Sequence, residues 1–210
     1  MKCTVLFASP RGEASNTLAV TRPVTDALTQ AGWEVERFSL YDMDIQPCRA
    51  CRGCQRDWEH PACVLRDDMQ PIFESVLSAD LLLLASPIYS WYCTAPLKAA
   101  LDRMVYAMNK YYGLDDGETH EGLYCIGCPV LDAAGRAVAA VTTCGYRPER
   151  GADLWEEGLR RYCKHSQLRW LGMLSARHLG YSAPFMDGEK AAQARAFAAE
   201  LLAAMEANPA

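Results

Sequence analysis

The chain has 210 residues, half of them hydrophobic and 22% charged, with 26 acidic and 21 basic side chains and a formal net charge of −5. A chain of this length can bury most of its apolar surface around one core, which is typical of a globular protein. The acidic excess argues against nucleic acid as the main partner, and no apolar run approaches the roughly twenty residues that span a bilayer. The length predicts one domain over 1–210. Because the N-terminus lacks a signal-peptide core, we expect the protein in the cytoplasm, without a membrane partner.

Strand and helix patterns alternate along the chain. Because strands that alternate with helices form parallel sheets, this order predicts an α/β fold with helices on both faces of the sheet. Ligands of such folds bind at the carboxyl ends of the strands. We predict strands over 2–8, 33–40, 80–87, 136–143 and near 173–181, and helices over about 18–32, 67–79, 94–108, 153–167 and 188–206.

The loop SPRGEASNT, residues 9–17, follows the first predicted strand and precedes a helix. Its hydroxyl and amide groups, its one arginine and the positive end of the helix dipole together predict a phosphate site. The loop lacks both GxxxxGK[ST] and GxGxxG, so neither a Mg-nucleotide P-loop nor the dinucleotide fingerprint is present. The alternative is that Ser15, Asn16 and Thr17 only cap the helix.

Two further loops, 86–91 and 142–146, are predicted at carboxyl ends of strands. In SPIYSW, proline and aromatic residues follow a buried strand, a combination that suits a flat apolar ring with a polar edge. Taken singly, Tyr89 and Trp91 are better explained as partly buried packing aromatics than as cofactor contacts.

These segments resemble a known family. SPRGEASNT, DDM before a helix, ADLLLLASPIYSW and APLKAALDRM are similar to the flavodoxin-like NADPH-dependent FMN reductases, and most similar to their iron-sulfur flavoprotein branch. The resemblance covers residues 2 to about 110 and is weaker beyond. It implies a flavodoxin-like three-layer sandwich whose five-stranded parallel sheet has the order 2-1-3-4-5.

The resemblance also implies site residues. The FMN phosphate would lie on the first loop and the isoalloxazine against the other two, whereas Lys98, Asp102 and Arg103 would be structural, with Lys98 and Asp102 spaced for an i,i+4 pair. The implied FMN-binding residues are Ser9, Arg11, Ser15, Asn16, Thr17, Pro87, Ile88, Tyr89, Ser90, Trp91, Thr143, Cys144, Gly145 and Tyr146.

The implied activity is that of an FMN-dependent NAD(P)H oxidoreductase. Hydride would come from NADPH or NADH, and the electrons would pass to a quinone, azo or nitro compound, or metal ion. Because the flavin carries the redox chemistry, no catalytic side chain is assigned. The alternatives are an iron-sulfur flavoprotein electron carrier fed by ferredoxin, and a flavin-binding sensor or interaction module without turnover. A homodimer or homotetramer is expected, with a contact in 109–134.

The stretch CRACRGCQRDWEHPAC, residues 48–63, concentrates four cysteines, Cys48, Cys51, Cys54 and Cys63. In the iron-sulfur flavoproteins a compact cysteine run at this place holds a 4Fe-4S cluster, which the flanking Pro47 and DDM also imply here. The eight residues between Cys54 and Cys63 depart from that compact spacing. Four thiolates fit a cluster, and a zinc site would use the same ligands or three of them with His60. A loop that binds no metal is the third alternative.

The remaining cysteines carry weaker signals. Cys3 is predicted in the core. Cys125 and Cys128 form another C-x2-C, but without a second pair we expect no metal there.

Overall fold

A computed structural model describes residues 1–110, 136–178 and 185–207. The strands are β1 Lys2–Phe7, β2 Glu34–Ser39, β3 Leu81–Pro87, β4 Ala137–Cys144 and β5 Arg169–Arg177. The helices are α1 Asn16–Gln30, α2 Met69–Ser78, α3 Ala95–Met108, the short α4 Pro148–Gly151, α5 Asp153–His165 and α6 Gly188–Ala207.

The five strands form one parallel sheet in the order β2-β1-β3-β4-β5, which confirms the predicted topology. The three inner strands are buried almost throughout, whereas the edge strands β2 and β5 are partly exposed. Burial on both faces explains why the inner strands appear as unbroken apolar runs in the sequence.

Helices cover both faces of the sheet. Leu81 and Leu83 of β3 pack with residues of α1 and α6, and Leu82 and Leu84 pack with residues of α2, α3 and α5. This division follows from the strand period of two, which directs successive side chains to opposite faces. Within the described ranges, no helix is both long enough and apolar enough to cross a bilayer.

The last strand differs from its prediction. β5 covers Arg169–Arg177 rather than residues near 173–181. It lies at the sheet edge, and its pairing with β4 shifts register between Val138 and Ala139, opposite Gly172 with φ +119°. A bulged, half-exposed edge strand breaks the period-two pattern from which strands are predicted.

Candidate functional site

The three predicted loops lie together at the carboxyl edge of the sheet. The hydroxyl oxygens of Thr17 and Thr143 are 2.7 Å apart and share a buried hydrogen bond, which joins the first loop to the third. The Ile88 N–H donates to the Thr143 carbonyl at 2.9 Å, which joins the second loop to the third. The Thr94 hydroxyl donates to the Ala8 carbonyl at 2.8 Å. Hydrogen bonds therefore hold together loops that are far apart in sequence.

The first loop ends in a helix cap. The Ser15 hydroxyl accepts from the N–H groups of Thr17 at 3.1 Å and Leu18 at 3.4 Å, so Ser15 caps α1. Ser9 is buried, whereas Arg11 is exposed. Because capping leaves the positive dipole end of α1 in place, the predicted phosphate position remains favourable for an anion.

The second loop contains a tight, strained turn. Tyr89 and Tyr92 exchange backbone hydrogen bonds of 2.9 and 3.0 Å across Ser90 and Trp91. Both central residues have positive φ, 51° and 64°, the conformation for which such turns usually carry Asn-Gly. The left-handed conformation costs a non-glycine residue about 1–2 kcal/mol. A glycine would adopt this conformation at lower cost than the tryptophan that occupies the position.

The strained turn joins the second loop to the third through an aromatic contact. The rings of Trp91 and Tyr146 stack with centroids 6.1 Å apart and planes at 21°. The Trp91 Nε1–H donates to the Arg150 carbonyl at 3.1 Å. Trp91, Tyr146 and the neighbouring Tyr89 are all about half exposed or more. These rings give the carboxyl edge an accessible aromatic surface.

We expect replacement of Trp91 by glycine to separate binding from stability. Relief of the left-handed strain offsets the lost contacts of a half-exposed ring, so the free energy of unfolding should change by less than about 1 kcal/mol. FMN affinity should fall roughly 2- to 10-fold, because an aromatic stack contributes roughly 0.5–1.5 kcal/mol. Urea denaturation and flavin fluorescence titration measure the two quantities.

Trp58→Gly is the matched control. Trp58 is an exposed tryptophan on the loop of residues 48–63, which we call the cysteine loop, and its Nε1–H donates to the Gln55 carbonyl. FMN should bind this variant as it binds the wild type. Unchanged FMN affinity in Trp91→Gly would show that the Trp91 ring does not contact the flavin.

The third loop places a buried thiol beside exposed residues. Cys144 donates to the Tyr146 carbonyl at 3.1 Å, and burial raises the pKa of this thiol. Gly145 between them is exposed, and the His178 N–H, just beyond β5, donates to the Cys144 carbonyl at 3.0 Å. Cys144 therefore shapes the loop as a neutral thiol, which is a poor nucleophile.

Tyr41 also reaches this edge and was not predicted. It follows β2, and its ring is exposed. Burial of its hydroxyl raises the pKa of Tyr41, and the nearby Tyr89 adds to this rise. A hydrogen bond with Thr94 opposes it. Its position directly after a strand is the only sequence signal that would have identified it.

The four clustered cysteines line one pocket. Cys54 is buried, Cys48 and Cys63 are half-buried, and Cys51 is exposed. Arg103 and Tyr106 of α3 line the same pocket. Among the residues that the structure describes, no three His, Cys, Asp or Glu side chains converge to hold a single metal ion. The four cysteines thus line a common pocket without converging on one point.

The eight-residue gap before Cys63 folds back on itself. A 3-10 turn covers Gly53–Arg56, and the Asp57 carboxylate then accepts from the N–H groups of Glu59 at 2.9 Å and His60 at 3.0 Å. Left-handed backbone at Ala62, φ 35°, completes the reversal. The gap that departs from the compact spacing still returns Cys63 to the pocket of the other three cysteines.

The tip of the cysteine loop is attached to the end of α3. The Cys54 thiol donates to the Tyr106 carbonyl at 3.1 Å, and the Gln55 amide donates to the Asn109 carbonyl at 2.9 Å. The fully buried Lys110 ammonium donates to the carbonyls of Cys54 at 2.8 Å and His60 at 3.2 Å. Burial raises the pKa of the Cys54 thiol, and the positive charge of Lys110 opposes that rise.

These attachments determine where the cysteines lie in the fold. The loop leaves β2 and enters α2 at the carboxyl edge, but its cysteines pack beside the second half of α3. At 1.5 Å per residue, Arg103 and Tyr106 lie about 12 and 17 Å along the helix from Ala95, which begins at that edge. The cysteine pocket and the three loops are therefore two sites joined by one helix.

Asp67 and Asp68 join the two ends of the cysteine loop, residues 44–47 and 64–68, which we call its neck. Asp67 Oδ2 accepts from the Gln46 N–H at 2.9 Å, and Asp68 Oδ2 accepts from the Asp44 N–H at 2.7 Å. These bonds give the DDM segment a structural role. They hold the residues before Cys48 against those after Cys63.

Arg103 completes this neck and was assigned only a general structural role from the sequence. Its guanidinium pairs with Asp67 and donates from Nη2 to Cys63 Sγ at 3.3 Å. A usable signal is its spacing, since Arg103 lies three residues after Ala100 and four before Ala107 on the buried face of α3. A charge on an apolar stripe requires a buried partner.

Comparison with known proteins decides the family. The profile described as NADPH-dependent FMN reductase matches residues 1–123, more than half of the chain. The chain belongs to this family. It is 31% identical over 114 residues to an iron-sulfur flavoprotein of Methanosarcina thermophila, an alignment that covers 54% of this chain and 58% of the relative. An iron-sulfur flavoprotein of Methanocaldococcus jannaschii is 36% identical over 103 residues, 49% of this chain and 51% of the relative.

The chain thus aligns with little more than half the length of these relatives. Solved structures confirm the flavodoxin-like fold along nearly the whole chain. An FMN-dependent NADH-azoreductase from Bacillus anthracis, in complex with FMN, superposes with a TM-score of 0.67 at 15% identity, over 99% of this chain and 100% of its own. An NAD(P)H:quinone oxidoreductase from Methanothermobacter marburgensis has a TM-score of 0.63 at 19% identity, over 96% and 97%.

Two further expectations for this FMN reductase family member are confirmed, and others lie outside the described residues. Cys3 is fully buried in the core, and burial raises its pKa to about 12. Lys98 and Asp102 form the expected exposed i,i+4 pair. Cys125, Cys128 and nearly all of the proposed subunit contact over 109–134 lie outside the described residues, so the oligomeric state remains a prediction.

Proposed function

We propose that the chain is an FMN-dependent NAD(P)H oxidoreductase that passes electrons to a small-molecule acceptor such as a quinone, azo or nitro compound. The observation that carries this proposal is that hydrogen bonds hold the three loops together. Thr143 is hydrogen-bonded to both Thr17 and Ile88. Family membership supports it independently.

The side chains at this edge fit the two ends of FMN. The start of α1, with Ser9, Arg11, Asn16 and Thr17 around it, supplies hydroxyl, amide and guanidinium donors for a phosphate. Residues 87–91 and 143–146 supply apolar and aromatic surface with backbone N–H groups for a flavin ring. When bound, FMN would supply the hydride and electron chemistry, and these residues would bind and orient it.

The test is reconstitution with FMN followed by steady-state kinetics. We expect the purified protein to bind FMN and to oxidise NADPH or NADH in the presence of quinone, azo or nitro acceptors, with the ratio of kcat/KM values identifying the preferred nucleotide. Failure to take up FMN would overturn the proposal. Bound FMN without turnover by any of these acceptors would favour a flavin-binding sensor.

The cysteine pocket supports a second candidate function, an electron carrier with a 4Fe-4S cluster on Cys48, Cys51, Cys54 and Cys63. A cluster presents four separate iron atoms, so its ligands need not converge on one point, and four cysteines that line one pocket suit it. The buried cations Arg103 and Lys110 beside the loop offset the negative charge that such a group adds. Ferredoxin is the expected donor in this case.

We predict that Cys54→Ser loses the cluster. After anaerobic reconstitution the wild type should be brown and contain about four irons and four sulfides per chain, and the variant should lose most of both. Cys163→Ala is the control, because Cys163 is buried in the core away from the pocket, where burial raises its pKa to about 12. Zinc without sulfide, or no metal in the wild type, would reject the cluster.

A further inference from the structure

Arg103 and Asp67 form an ion pair from which water is excluded. Each side chain is only 1% exposed. Removing two charges from water has a large free-energy cost, and well-packed apolar residues of similar volume are often at least as stabilising. The pair therefore calls for an explanation other than stability.

The contacts of Arg103 point toward the cysteines. Nη1 pairs with Asp67 and lies 3.4 Å from the Gln46 carbonyl, so one side of the guanidinium is tied to the neck of the loop. Nη2 donates to Cys63 Sγ at 3.3 Å. Nε is buried and donates to no acceptor in the described part of the chain. The guanidinium is thus fixed at the wall of the cysteine pocket with donor capacity left over.

Asp67 fixes this arrangement. Its carboxylate also accepts from the N–H groups of Gln46 at 2.9 Å and Met69 at 3.2 Å, so it is held from both sides of the loop neck. An arginine fork held by a carboxylate presents its remaining N–H groups in a fixed direction. Asp67 therefore positions the donor that reaches Cys63.

We propose that Arg103, positioned by Asp67, sets the reduction potential of a cluster held by the four cysteines. This inference rests on the second candidate function. An N–H group that donates to a ligand sulfur, together with a nearby positive charge, stabilises the state with the additional electron. Arg103 therefore raises the potential, whereas the negative charge of Asp67 lowers it.

The two charges predict shifts of opposite sign. Arg103→Gln should lower the midpoint potential, with a loss of about tenfold in preference for the reduced state, equivalent to about 59 mV for one electron. Asp67→Asn, which keeps an acceptor but removes the charge, should raise it. Arg103→Lys keeps the charge but lacks the planar fork, so its potential should lie between those of wild type and Arg103→Gln. A purely structural pair would give no such reversal.

The experiment is a redox titration of the anaerobically reconstituted full chain. Dithionite supplies one electron per cluster, and visible absorbance and electron paramagnetic resonance follow the reduction. Iron and sulfide are measured on every sample. Arg66→Gln is the matched control, since it removes the same charge at an exposed position next to Asp67 and outside the pocket lining.

The outcomes separate the two proposals. Iron-free wild type would overturn the cluster and this inference with it. A loaded wild type whose potential is unchanged in Arg103→Gln, or lowered equally by Arg66→Gln, would overturn the inference alone. If Arg103→Gln does not retain iron, Arg103→Lys and Asp67→Asn decide, and shifts of the same sign or no shift in both would overturn it.

Discussion

Replacement of Asp67 by alanine should lower the free energy of unfolding by about 3–5 kcal/mol, because removing one member of a buried ion pair leaves the other charge uncompensated. Arg103 stays charged, since its hydrogen bonds to Asp67 and Cys63 outweigh burial and raise its pKa. Urea denaturation of the protein without iron measures the loss and keeps it separate from any effect of a bound cluster.

Asp102→Ala is the matched control. Asp102 pairs with Lys98 on the exposed side of the same helix, with both side chains 46% exposed. Exposed i,i+4 pairs contribute only about 0.3–0.5 kcal/mol, so this variant should be nearly as stable as the wild type. Equal losses in the two variants would show that burial of the Asp67 pair has no special energetic weight.

The same carboxylate should shape the response to acid. Burial alone would raise the pKa of Asp67, but hydrogen bonds from Arg103 and from the N–H groups of Gln46 and Met69 together lower it. A folded-state pKa below the unfolded value of about 3.9 means that the stabilisation is complete above that pH and is lost as pH falls through the folded-state pKa. Unfolding of Asp67→Asn should therefore depend less on pH below about 4 than that of the wild type.

Replacement of Arg11 by glutamine should weaken FMN binding roughly 10- to 100-fold and leave riboflavin binding unchanged. The reason is that hydrogen bonds to a charged group contribute about 1.5–3 kcal/mol, and riboflavin has no phosphate to receive them. Fluorescence titration with both ligands measures the difference. The comparison tests the phosphate position separately from the ring position.

Arg161→Gln controls for the loss of one positive charge, because Arg161 is exposed on α5 and pairs with Glu157. Its affinity for both ligands should match the wild type. If Arg11→Gln binds FMN and riboflavin with equal losses, Arg11 shapes the loop rather than holding the phosphate.

The sequence predicts the fold well where burial is continuous. The leucine run of β3 and the alanine and valine run of β4 predict inner strands because both faces are covered. β5 is misplaced because a partly exposed edge strand with a bulge carries no regular pattern. The strand order itself came from the family resemblance, since periodicity does not specify which strands are neighbours.

The candidate sites show the same division. The three loops follow strands, so their common edge is predictable from topology. The contacts of Arg103 with Asp67 and Cys63 join residues 36 and 40 positions apart. Such contacts depend on how a loop folds onto a helix, and no local pattern encodes them. The strained turn at Ser90 and Trp91 was equally hidden, because neither residue is typical of positive φ.

Helix α3 has one consequence for electron transfer between the two proposed sites. Its first turn abuts the loops proposed to hold flavin, and its second half forms one wall of the cysteine pocket. A helix is a nearly inextensible rod, so the residues of α3 that border the two proposed sites keep a constant separation along its axis. If both cofactors are bound, we expect electron transfer between them within one chain to depend on driving force and on which sites are filled, rather than on movement of this helix.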